Sequence, residues 1–378
     1  MIPPAAPGSL GDEAMVVATI DAIRARFAGH IGLLRYRGGL DYPVQVDARL
    51  DLSRYFLQGG ARGDELRLLA ALFRYRHVAL LGADVLDGFY SDDAVRLRLR
   101  LVELAAQAGA CTTVLGFSLN AQPTAGAAAL LRALPASVLL LARDRKSQQR
   151  LSSIVGRPVE CVADTAFLLA PDTTDPRGDE IARWATGVRA RGGRVVGVNL
   201  SAIAMEAAGL KRAAIVQVAH DTLERLVAAR PATALLLIPH DMRGDASDVN
   251  LLRQLAARLE RPAFDVRFLV PPLTARLVKR VCASVDLVWT GRMHVAIAAL
   301  GQGVPIVAHE YQGKFAGLFA DLGLENMLWD TDREPLPAPL TALLVEALDR
   351  ADALKASIAP KRTALTARAA RNIDLLRL

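Results

Sequence analysis

Short apolar runs of strand length alternate with longer amphipathic segments along most of this chain. The runs are rich in Val, Leu and Ile, and the segments between them carry apolar residues at helical spacing. This rhythm is typical of parallel sheets whose strands are joined by crossover helices, and it predicts an α/β fold. The predicted strands cover residues 78–81, 113–117, 137–141, 195–200, 234–238, 266–269, 285–289 and 306–308.

The chain is 378 residues long, which exceeds a typical single core and predicts two domains. A polar stretch with two prolines, residues 171–179, interrupts the alternation and is the predicted linker. We therefore expect an N-terminal domain over residues 1–170 and a C-terminal domain over residues 171–337. Residues 338–378 are predicted to form two helices divided near Pro360, one of which packs back on the N-terminal domain.

Composition narrows the class of protein. Hydrophobic residues make up 52% of the chain and charged residues 22%, which is typical of a globular protein. No apolar run approaches the roughly 20 residues of a membrane-spanning helix. The first residues lack a basic region followed by an apolar stretch, so no secretory signal is predicted and a cytoplasmic location is expected.

The net charge of +7 does not by itself indicate nucleic acid. The basic residues are scattered along helices with few aromatic residues between them, and no nucleic-acid-binding motif is present, so no nucleic-acid partner is expected. An anionic substrate, or a peripheral contact with anionic lipid headgroups at the cytoplasmic membrane face, explains the charge equally well. The sequence also lacks a phosphate loop, a complete dinucleotide fingerprint and a zinc-binding pattern, so neither a metal nor a bound cofactor is expected.

The most informative stretch is residues 285–314, where a predicted strand is followed by a turn, a short helix and a second strand. The turn carries Arg292 and His294. Such turns lie at the carboxyl edge of a parallel sheet, where the free N–H groups of the next helix favour phosphate or carboxylate. Because residues two apart in a helix diverge by about 200°, Arg292 must lie on the turn if it shares a ligand with His294. The stretch predicts a site for a small, strongly anionic molecule.

Four groups of motifs, in the same order along the chain, resemble the polysaccharide pyruvyltransferase family. The C-terminal group comprises Asp286, Gly291-Arg292-x-His294, an Ala-rich helix, Gly303-x-Pro305 and Tyr311-x-x-Lys314. The other groups are Gly8-x-x-Gly11-Asp12-Glu13-Ala14, then Arg143-Asp144-x-x-Ser147 with Asp164-x-Ala166-Phe167, and Ile238-Pro239-His240-Asp241.

This resemblance implies a GT-B-like fold of two doubly wound, Rossmann-like domains that face a cleft, with the acceptor on the N-terminal side and the donor on the C-terminal side. It implies phosphoenolpyruvate as the donor substrate and a sugar or lipid-linked oligosaccharide as the acceptor. The product would be a cyclic ketal on a precursor of a cell-surface polysaccharide, such as an exopolysaccharide. The acceptor sugar and its linkage, the ketal stereochemistry, the lipid carrier, the oligomeric state and whether a divalent metal assists stay open.

Two segments depart from the family pattern. The Gly8 loop should follow a buried strand, yet only residues 1–7 precede it and three of them are proline. Either the first strand is nearly absent or the native start lies upstream. Residues 81–88 occupy the place of a glycine-rich turn, and Asp84 and Asp87 in this segment are candidates for contacts with acceptor hydroxyls.

The implied donor places a phosphate and a carboxylate on one small enol, which requires positive partners. The planar fork of arginine binds either group bidentately. Arg143 and Arg292 match the family motifs, and Lys314, with Tyr311 in the same motif, is the third candidate. The alternative for each arginine is a surface ion pair of little energetic value.

Ketal formation requires protonation of the enol methylene, and His294 is the candidate general acid. The alternative role for His294 is to bind phosphate without transferring a proton. His240 is predicted to contact donor or acceptor, or else to lie beside an aspartate that caps a helix. Gly11 is expected to let backbone approach the substrate, with Asp12 or Glu13 accepting a hydroxyl hydrogen and Asp12 acting as base. The alternative there is a capping box formed by Ser9 and Asp12.

Two other functions fit the same fold, because fold does not determine chemistry. A GT-B glycosyltransferase that uses a nucleotide sugar would share the anion-binding turns. A catalytically silent sugar-binding or assembly subunit would retain the fold while the altered segments near Gly8 and Gly82 departed from the active pattern.

Overall fold

The computed structural model describes residues 1–37, 39, 41–60, 62–72, 74–207, 209–244, 247–311, 313–329 and 337–376. The chain divides into two compact units. The first unit comprises residues 1–7, 12–168 and 365–378, and the second comprises residues 8–11 and 169–364. A short N-terminal piece, residues 8–11, therefore belongs to the second unit although the residues on both sides of it belong to the first.

The first unit is built around a parallel four-stranded sheet with the strand order β3-β4-β5-β6, and a separate parallel pair is formed by β1 and β2. Its strands are β1 (Gly32–Arg35), β2 (Ala48–Asp51), β3 (His77–Leu81), β4 (Cys111–Phe117), β5 (Leu139–Ala142) and β6 (Glu160–Cys161). The helices up to residue 168 are α1 (Leu10–Arg26), α2 (Ser53–Leu57), α3 (Arg62–Leu72), α4 (Asp92–Gln107), α5 (Ala125–Ala133) and α6 (Arg145–Val155).

Residues 1–2 supply one bridge in place of a first strand. The N–H of Ile2 donates to the carbonyl of Ala79 at 2.8 Å, and the N–H of Leu81 donates to the carbonyl of Ile2 at 2.9 Å. On the other side, the N–H of Leu34 donates to the carbonyl of Met1 at 3.0 Å. These two residues thus link β1 to β3 before the chain reaches Gly8.

The second unit contains a parallel six-stranded sheet with the order β12-β11-β10-β7-β8-β9. Its strands are β7 (Arg194–Val198), β8 (Thr233–Leu237), β9 (Asp265–Phe268), β10 (Leu287–Thr290), β11 (Ile306–His309) and β12 (Leu328–Trp329). The helices from residue 169 onward are α7 (Pro176–Ala190), α8 (Ala202–Ala207), α9 (Arg212–Ala229), α10 (Asp248–Leu259), α11 (Ala275–Cys282), α12 (Met293–Gly301), α13 (Phe315–Leu322), α14 (Ala338–Asp349) and α15 (Ala351–Asp374). From residue 365 onward, α15 belongs to the first unit.

The strand order reverses between β7 and β10. The chain runs from β7 outward through β8 and β9, and then returns to place β10 on the other side of β7, followed by β11 and β12. At such a switch point the loops that leave neighbouring strands diverge to opposite faces of the sheet and open a crevice at the carboxyl edge. The crevice is where ligands bind in open α/β sheets.

All eight predicted strands are present, with bounds that differ by a few residues. The sequence did not predict β1, β2, β6 and β12, because none of them contains an extended apolar run and β6 and β12 are only two residues long. The predicted linker was too long, because α7 begins inside it at Pro176. Asp175 caps that helix, and proline is favoured at the first helical position, where its missing N–H leaves no bond unmade.

The predicted helix break near Pro360 was wrong. Pro360 lies inside α15, and the chain instead breaks at Arg350, between α14 and α15. Buried side chains on both sides of the proline, Ile358 and Leu365, keep α15 packed and offset the loss of one backbone hydrogen bond. The last residues of α15 belong to the first unit, in which Asn372 Nδ2 donates to the carbonyl of Ala163 at 2.8 Å.

Helix α12 is apolar on nearly every side, which is typical of a helix surrounded by other elements. It packs on α11, β10 and β11, and seven of its residues are buried. Strand β10, from which the chain enters α12, is buried along its whole length. The turn between β10 and α12 is therefore held rigidly at both ends. Within the described part of the chain, no helix combines the length and apolar composition needed to cross a bilayer.

His309 in β11 makes the stability of the second unit sensitive to acid. Its Nε2 accepts a hydrogen bond from Nε1 of Trp289 at 2.8 Å, and burial lowers the pKa of His309 from 6.5 to about 4. Below pH 6.5 the imidazole of His309 binds a proton in the unfolded chain but stays neutral in the folded chain until the pH approaches 4. The free energy of unfolding therefore falls as the pH falls towards 4, by up to about 1.4 kcal/mol per pH unit for this group.

We expect His309→Gln, which still accepts from Trp289 but does not titrate, to have a shallower pH dependence of stability between pH 6.5 and 4. Urea unfolding followed by tryptophan fluorescence measures it. His30→Gln is the matched control, because His30 is exposed. Equal slopes for wild type and His309→Gln would contradict the assignment.

Candidate active site

Arg292 lies on the turn between β10 and α12, as predicted from the spacing. It is the N-cap residue of α12 and has extended backbone angles, with φ −109° and ψ 120°. The hydroxyl of Thr290 accepts from the N–H of Arg292 at 2.9 Å, which holds the turn. Gly291 is required just before it, because an added Cβ would come within 2.7 Å of Cβ of Ala204 and 2.9 Å of Cβ of Ser201.

The guanidinium of Arg292 is bound to a buried carboxylate. Its Nη2 and Nε donate to Oδ1 of Asp248 at 2.8 and 3.2 Å, and Asp248 is fully buried at the start of α10. Burial by itself opposes the charge on Arg292, but Asp248 and Asp241 raise the pKa of Arg292 above its ordinary value. The side chain of Arg292 is 15% exposed, so this arginine is not the surface ion pair that was the alternative expectation.

Asp248 also ties together the two strands at the switch point. Its Oδ2 accepts from Nδ2 of Asn199 at 2.9 Å and from the N–H of Asp241 at 3.1 Å. Asn199 follows β7, and its Oδ1 accepts from the hydroxyl of Thr290 at the end of β10 at 2.9 Å. The carboxyl ends of β7 and β10 and the loop after β8 are thus joined in one buried polar network.

Asp241 lies between two arginines, Arg292 and Arg243, at the edge of this network. Its Oδ2 is 3.4 Å from Nη1 of Arg292 and 2.8 Å from Nη2 of Arg243. Arg243 is about half exposed, whereas Asp241 is nearly buried. Arg292 therefore binds one fully buried carboxylate, Asp248, and shares a second one, Asp241, with the half-exposed Arg243.

His294 lies at the start of α12 against the N-terminal piece, residues 8–11. A Cβ added at Gly11 would overlap the imidazole ring of His294, so glycine allows this close approach. The piece is held by two backbone bonds in which Leu10 N–H donates to the carbonyl of His240 at 3.1 Å and Met242 N–H donates to the carbonyl of Gly8 at 3.0 Å. Distant motifs at Gly11, His240 and His294 therefore come together within the second unit.

His240 is buried, and burial, together with the positive charges of His294 and Arg292, lowers its pKa from 6.5 to about 3. His240 is therefore neutral at physiological pH. A neutral imidazole can accept or donate a hydrogen bond, but it carries no extra proton to transfer. This histidine suits binding and not acid catalysis.

Tyr311 and Lys314 follow β11 and are both buried. The ammonium of Lys314 lies 4.8 Å from the centre of the Tyr311 ring, a cation–π arrangement. Tyr311 is close enough to Arg292 for its phenol oxygen to influence the arginine electrostatically. Beside them, burial raises the pKa of Glu310, although the backbone N–H groups of Phe315, Tyr311, Ala316 and Lys314 oppose this shift.

The other predicted residues belong to the first unit. Arg143 is buried and its Nη1 donates to Oδ2 of Asp164 at 3.0 Å, so it is not a surface ion pair either. Asp12 and Glu13 lie in the first turn of α1. The capping-box alternative differs from what is found, because the hydroxyl of Ser9 accepts from the N–H of Gly11 at 3.2 Å. Asp84 follows β3, and its Oδ2 is 3.3 Å from the hydroxyl of Tyr90.

Sequence reasoning missed Asn199, Asp248 and Arg243. Asn199 was placed inside a predicted strand, although a polar residue after a run of four buried positions marks the strand end. Asp248 follows Ser247 before a periodic apolar segment, a typical helix start, so it gave no signal of pairing with a residue 44 positions away. Its role depends on the order of the strands.

One group of potential metal ligands is present among the described residues, formed by His220, Asp221 and Glu224. Nη2 of Arg261 lies 2.5 Å from Nε2 of His220 and 3.3 Å from Oε1 of Glu224. The guanidinium thus already supplies the positive charge that a metal ion would bring.

The family model described as polysaccharide pyruvyl transferase matches residues 10–313. This match covers Gly11, Asp12, Glu13, Asp84, Arg143, His240, Arg292, His294 and Tyr311, and ends before Lys314. Comparison with curated protein sequences gives no significant match.

Solved structures of low sequence identity cover nearly the whole chain. A putative UDP-N-acetylglucosamine 2-epimerase from Listeria monocytogenes is 13% identical, with a TM-score of 0.59 over 96% of this chain and 91% of that chain. Anabaena HepE, in complex with UDP and glucose, is 16% identical, with a TM-score of 0.55 over 97% and 93%. A UGT transferase from Siraitia grosvenorii, in complex with UDP, is 11% identical, with a TM-score of 0.57 over 99% and 98%. These likenesses show the fold alone and confirm the predicted GT-B class with two Rossmann-like domains.

The buried Arg292–Asp248 pair should be strongly coupled. Removing either partner leaves an unpaired buried charge, so we expect Asp248→Ala and Arg292→Ala each to lower the free energy of unfolding by about 3–5 kcal/mol. The double variant should lose much less than the sum of the two. Urea unfolding of the four proteins gives the coupling energy.

The exposed pair Arg280–Asp179, with side chains 40% and 69% exposed at 3.0 Å, is the matched control for this cycle. Its coupling should be only about 0.2–1 kcal/mol. Additive losses for Arg292 and Asp248 would mean that the pair does not hold the turn.

Proposed function

Because the chain belongs to the polysaccharide pyruvyl transferase family, we propose that it transfers a pyruvyl group from phosphoenolpyruvate to two hydroxyls of a sugar. The product is a cyclic ketal, and the role is in cell-surface polysaccharide biosynthesis. The observation that carries the proposal is the juxtaposition of Arg292, His294 and the glycine backbone at Gly11 around the switch point of the second unit.

An anionic donor at this turn would exchange places with one carboxylate. Arg292 and Arg243 face Asp241 and Asp248, two positive groups against two negative ones. Asp248 engages Nε and Nη2 of Arg292, and Nη1 faces Asp241. A phosphate or carboxylate would compete with Asp241 for Nη1, while Arg243 stays with Asp241. The start of α12 adds its N–H groups and the positive end of its dipole.

Besides Arg292, we propose Arg143 and Lys314 as the second and third cations for the donor. Both side chains are buried, so each would act in a desolvated setting where charge pairing is strong. Tyr311 positions the ammonium of Lys314 through the cation–π contact. The buried carboxylate of Asp164 orients Arg143, which leaves part of the fork for a ligand.

The proposed chemistry begins with proton transfer from the imidazolium of His294 to the methylene carbon of phosphoenolpyruvate. C2 becomes an oxocarbenium ion, and a first sugar hydroxyl attacks it while Asp12 or Glu13 accepts the hydroxyl proton. The C2–O bond to phosphate then breaks and inorganic phosphate leaves. A second hydroxyl attacks the regenerated cation, loses its proton and closes the ketal. His240 is neutral and binds substrate in this scheme.

The rival functions gain no specific support. The nucleotides named for HepE and for the UGT transferase belong to proteins of 16% and 11% identity, which share the fold only. We also propose that the protein acts in the cytoplasm on an acceptor presented at the membrane face, where its net charge of +7 favours anionic lipid. No metal or bound cofactor enters the proposed reaction.

The experiment that tests the proposal mixes the protein with phosphoenolpyruvate and a panel of oligosaccharide and lipid-linked acceptors. We expect release of inorganic phosphate together with a carboxyethylidene group on the acceptor, detected by mass spectrometry. Release of a nucleoside diphosphate from a nucleotide sugar, with no phosphate from phosphoenolpyruvate, would replace the proposal by the glycosyltransferase function.

Arg292→Lys should weaken donor binding while the fold persists. Lysine keeps the charge and a contact with Asp248 but loses the planar fork, and one charge-assisted hydrogen bond contributes about 1.5–3 kcal/mol. We therefore expect the dissociation constant for phosphoenolpyruvate, measured by calorimetry, to rise about tenfold or more. Arg183→Lys, at an exposed position of α7, is the matched control. Unchanged affinity in Arg292→Lys would remove Arg292 from the donor site.

His294→Gln should slow turnover more than it weakens binding. Glutamine still donates a hydrogen bond but delivers no proton, and loss of a general acid costs about 10²–10⁴-fold in rate. We expect donor affinity within several-fold of wild type, with kcat lower by at least about a hundredfold. His220→Gln, on α9, is the control. A normal kcat with a raised KM for phosphoenolpyruvate would make His294 a phosphate ligand only.

A further inference from the structure

Two exposed aromatic rings follow β3 in the first unit. Phe89 is 49% exposed and Tyr90 is 52% exposed, and their ring centres lie 5.1 Å apart at an angle of 85°. The other large apolar side chains that are exposed among the described residues are aliphatic: Leu57, Leu66, Ile203 and Val270. Adjacent exposed aromatic rings are costly in water and commonly mark a binding surface.

The loop that carries these rings is fixed by hydrogen bonds to Asp87, which is only 1% exposed. One oxygen of Asp87 accepts from the N–H of Phe89 at 3.0 Å, and the other accepts from Nδ2 of Asn120 at 2.8 Å. The carbonyl of Asp87 also accepts from the N–H of Thr124 at 3.0 Å. A buried carboxylate thus fixes the loop while the two rings remain exposed, an arrangement that lowers the entropic cost of binding.

A polar group lies at the edge of the aromatic pair. The hydroxyl of Tyr90 donates to Oδ2 of Asp84 at 3.3 Å, and Asp84 is part of the same loop. The patch therefore offers ring faces for C–H groups beside a carboxylate that accepts hydroxyl hydrogens. A pyranose ring has this same division, with an apolar C–H face and a rim of hydroxyls.

We propose that Phe89, Tyr90 and Asp84 form a saccharide subsite that binds one hexopyranose ring of the acceptor. The inference rests on the proposed function, because that function supplies the reason for a sugar ligand. The ring faces stack on the sugar, and Asp84 accepts a hydrogen bond from one of its hydroxyls. The carboxylate distinguishes this patch from one that inserts into an anionic membrane, since it would repel anionic headgroups.

Saturation-transfer NMR tests binding without requiring catalysis. The probes are the methyl glycosides of glucose, galactose, mannose and N-acetylglucosamine. We expect saturation transfer to the C–H protons of at least one probe in wild type, and affinity about 3- to 10-fold lower in Phe89→Ala and Tyr90→Ala, equivalent to the loss of one aromatic contact. Tyr90→Phe should retain most of the transfer because it keeps the ring. Leu66→Ala, which removes an exposed apolar side chain from α3, is the matched control.

In the transfer assay, Phe89→Ala should raise KM for the acceptor by a similar factor and leave KM for phosphoenolpyruvate unchanged. If no acceptor is pyruvylated but the glycosides bind through the two rings, the proposed function fails and the subsite stands. Saturation transfer that is absent, or equal in wild type and the alanine variants, overturns the subsite even if pyruvyl transfer is observed. Loss of binding to vesicles of anionic lipid in the alanine variants, with no effect on glycosides, would likewise overturn it in favour of a membrane contact.

Discussion

The buried ion pair between Arg292 and Asp248 is the interaction on which the candidate site depends. Charged groups in the interior are stable only when they are paired and hydrogen-bonded, and Asp248 is satisfied by Arg292, Asn199 and the backbone of Asp241. The pair fastens the loop after β10 to the start of α10 and, through Asn199, to the end of β7. A rigid arginine at a strand end can then meet an anion without first being ordered.

A second constraint is the close approach of the N-terminal piece to His294. Only glycine at position 11 leaves room for the imidazole, and backbone bonds to the loop after β8 hold the piece in the second unit. The fold thus places the first family motif, at Gly11, in contact with the last one, at His294. His240 lies in the same loop, where burial keeps it neutral at physiological pH.

The first unit places its candidate groups by similar means. Arg143 is held by Asp164, and Asp87 fastens the loop that exposes Phe89 and Tyr90. In both cases a buried carboxylate sets the position of a neighbour for which we propose a ligand. Such support is preorganisation, because the geometry exists before a ligand arrives.

The amino-acid sequence by itself determined the α/β class, the eight strands with apolar runs, and the place of Arg292 on a turn, because hydrophobic periodicity and apolar run length are local properties. It also carried the motifs of the family. Only the tertiary structure decided the partners: the sheet order sets Asn199 beside Thr290, Asp248 beside Arg292, and Gly11 against His294. These contacts join residues far apart in sequence, and their formation depends on which strands become neighbours, which no local pattern specifies.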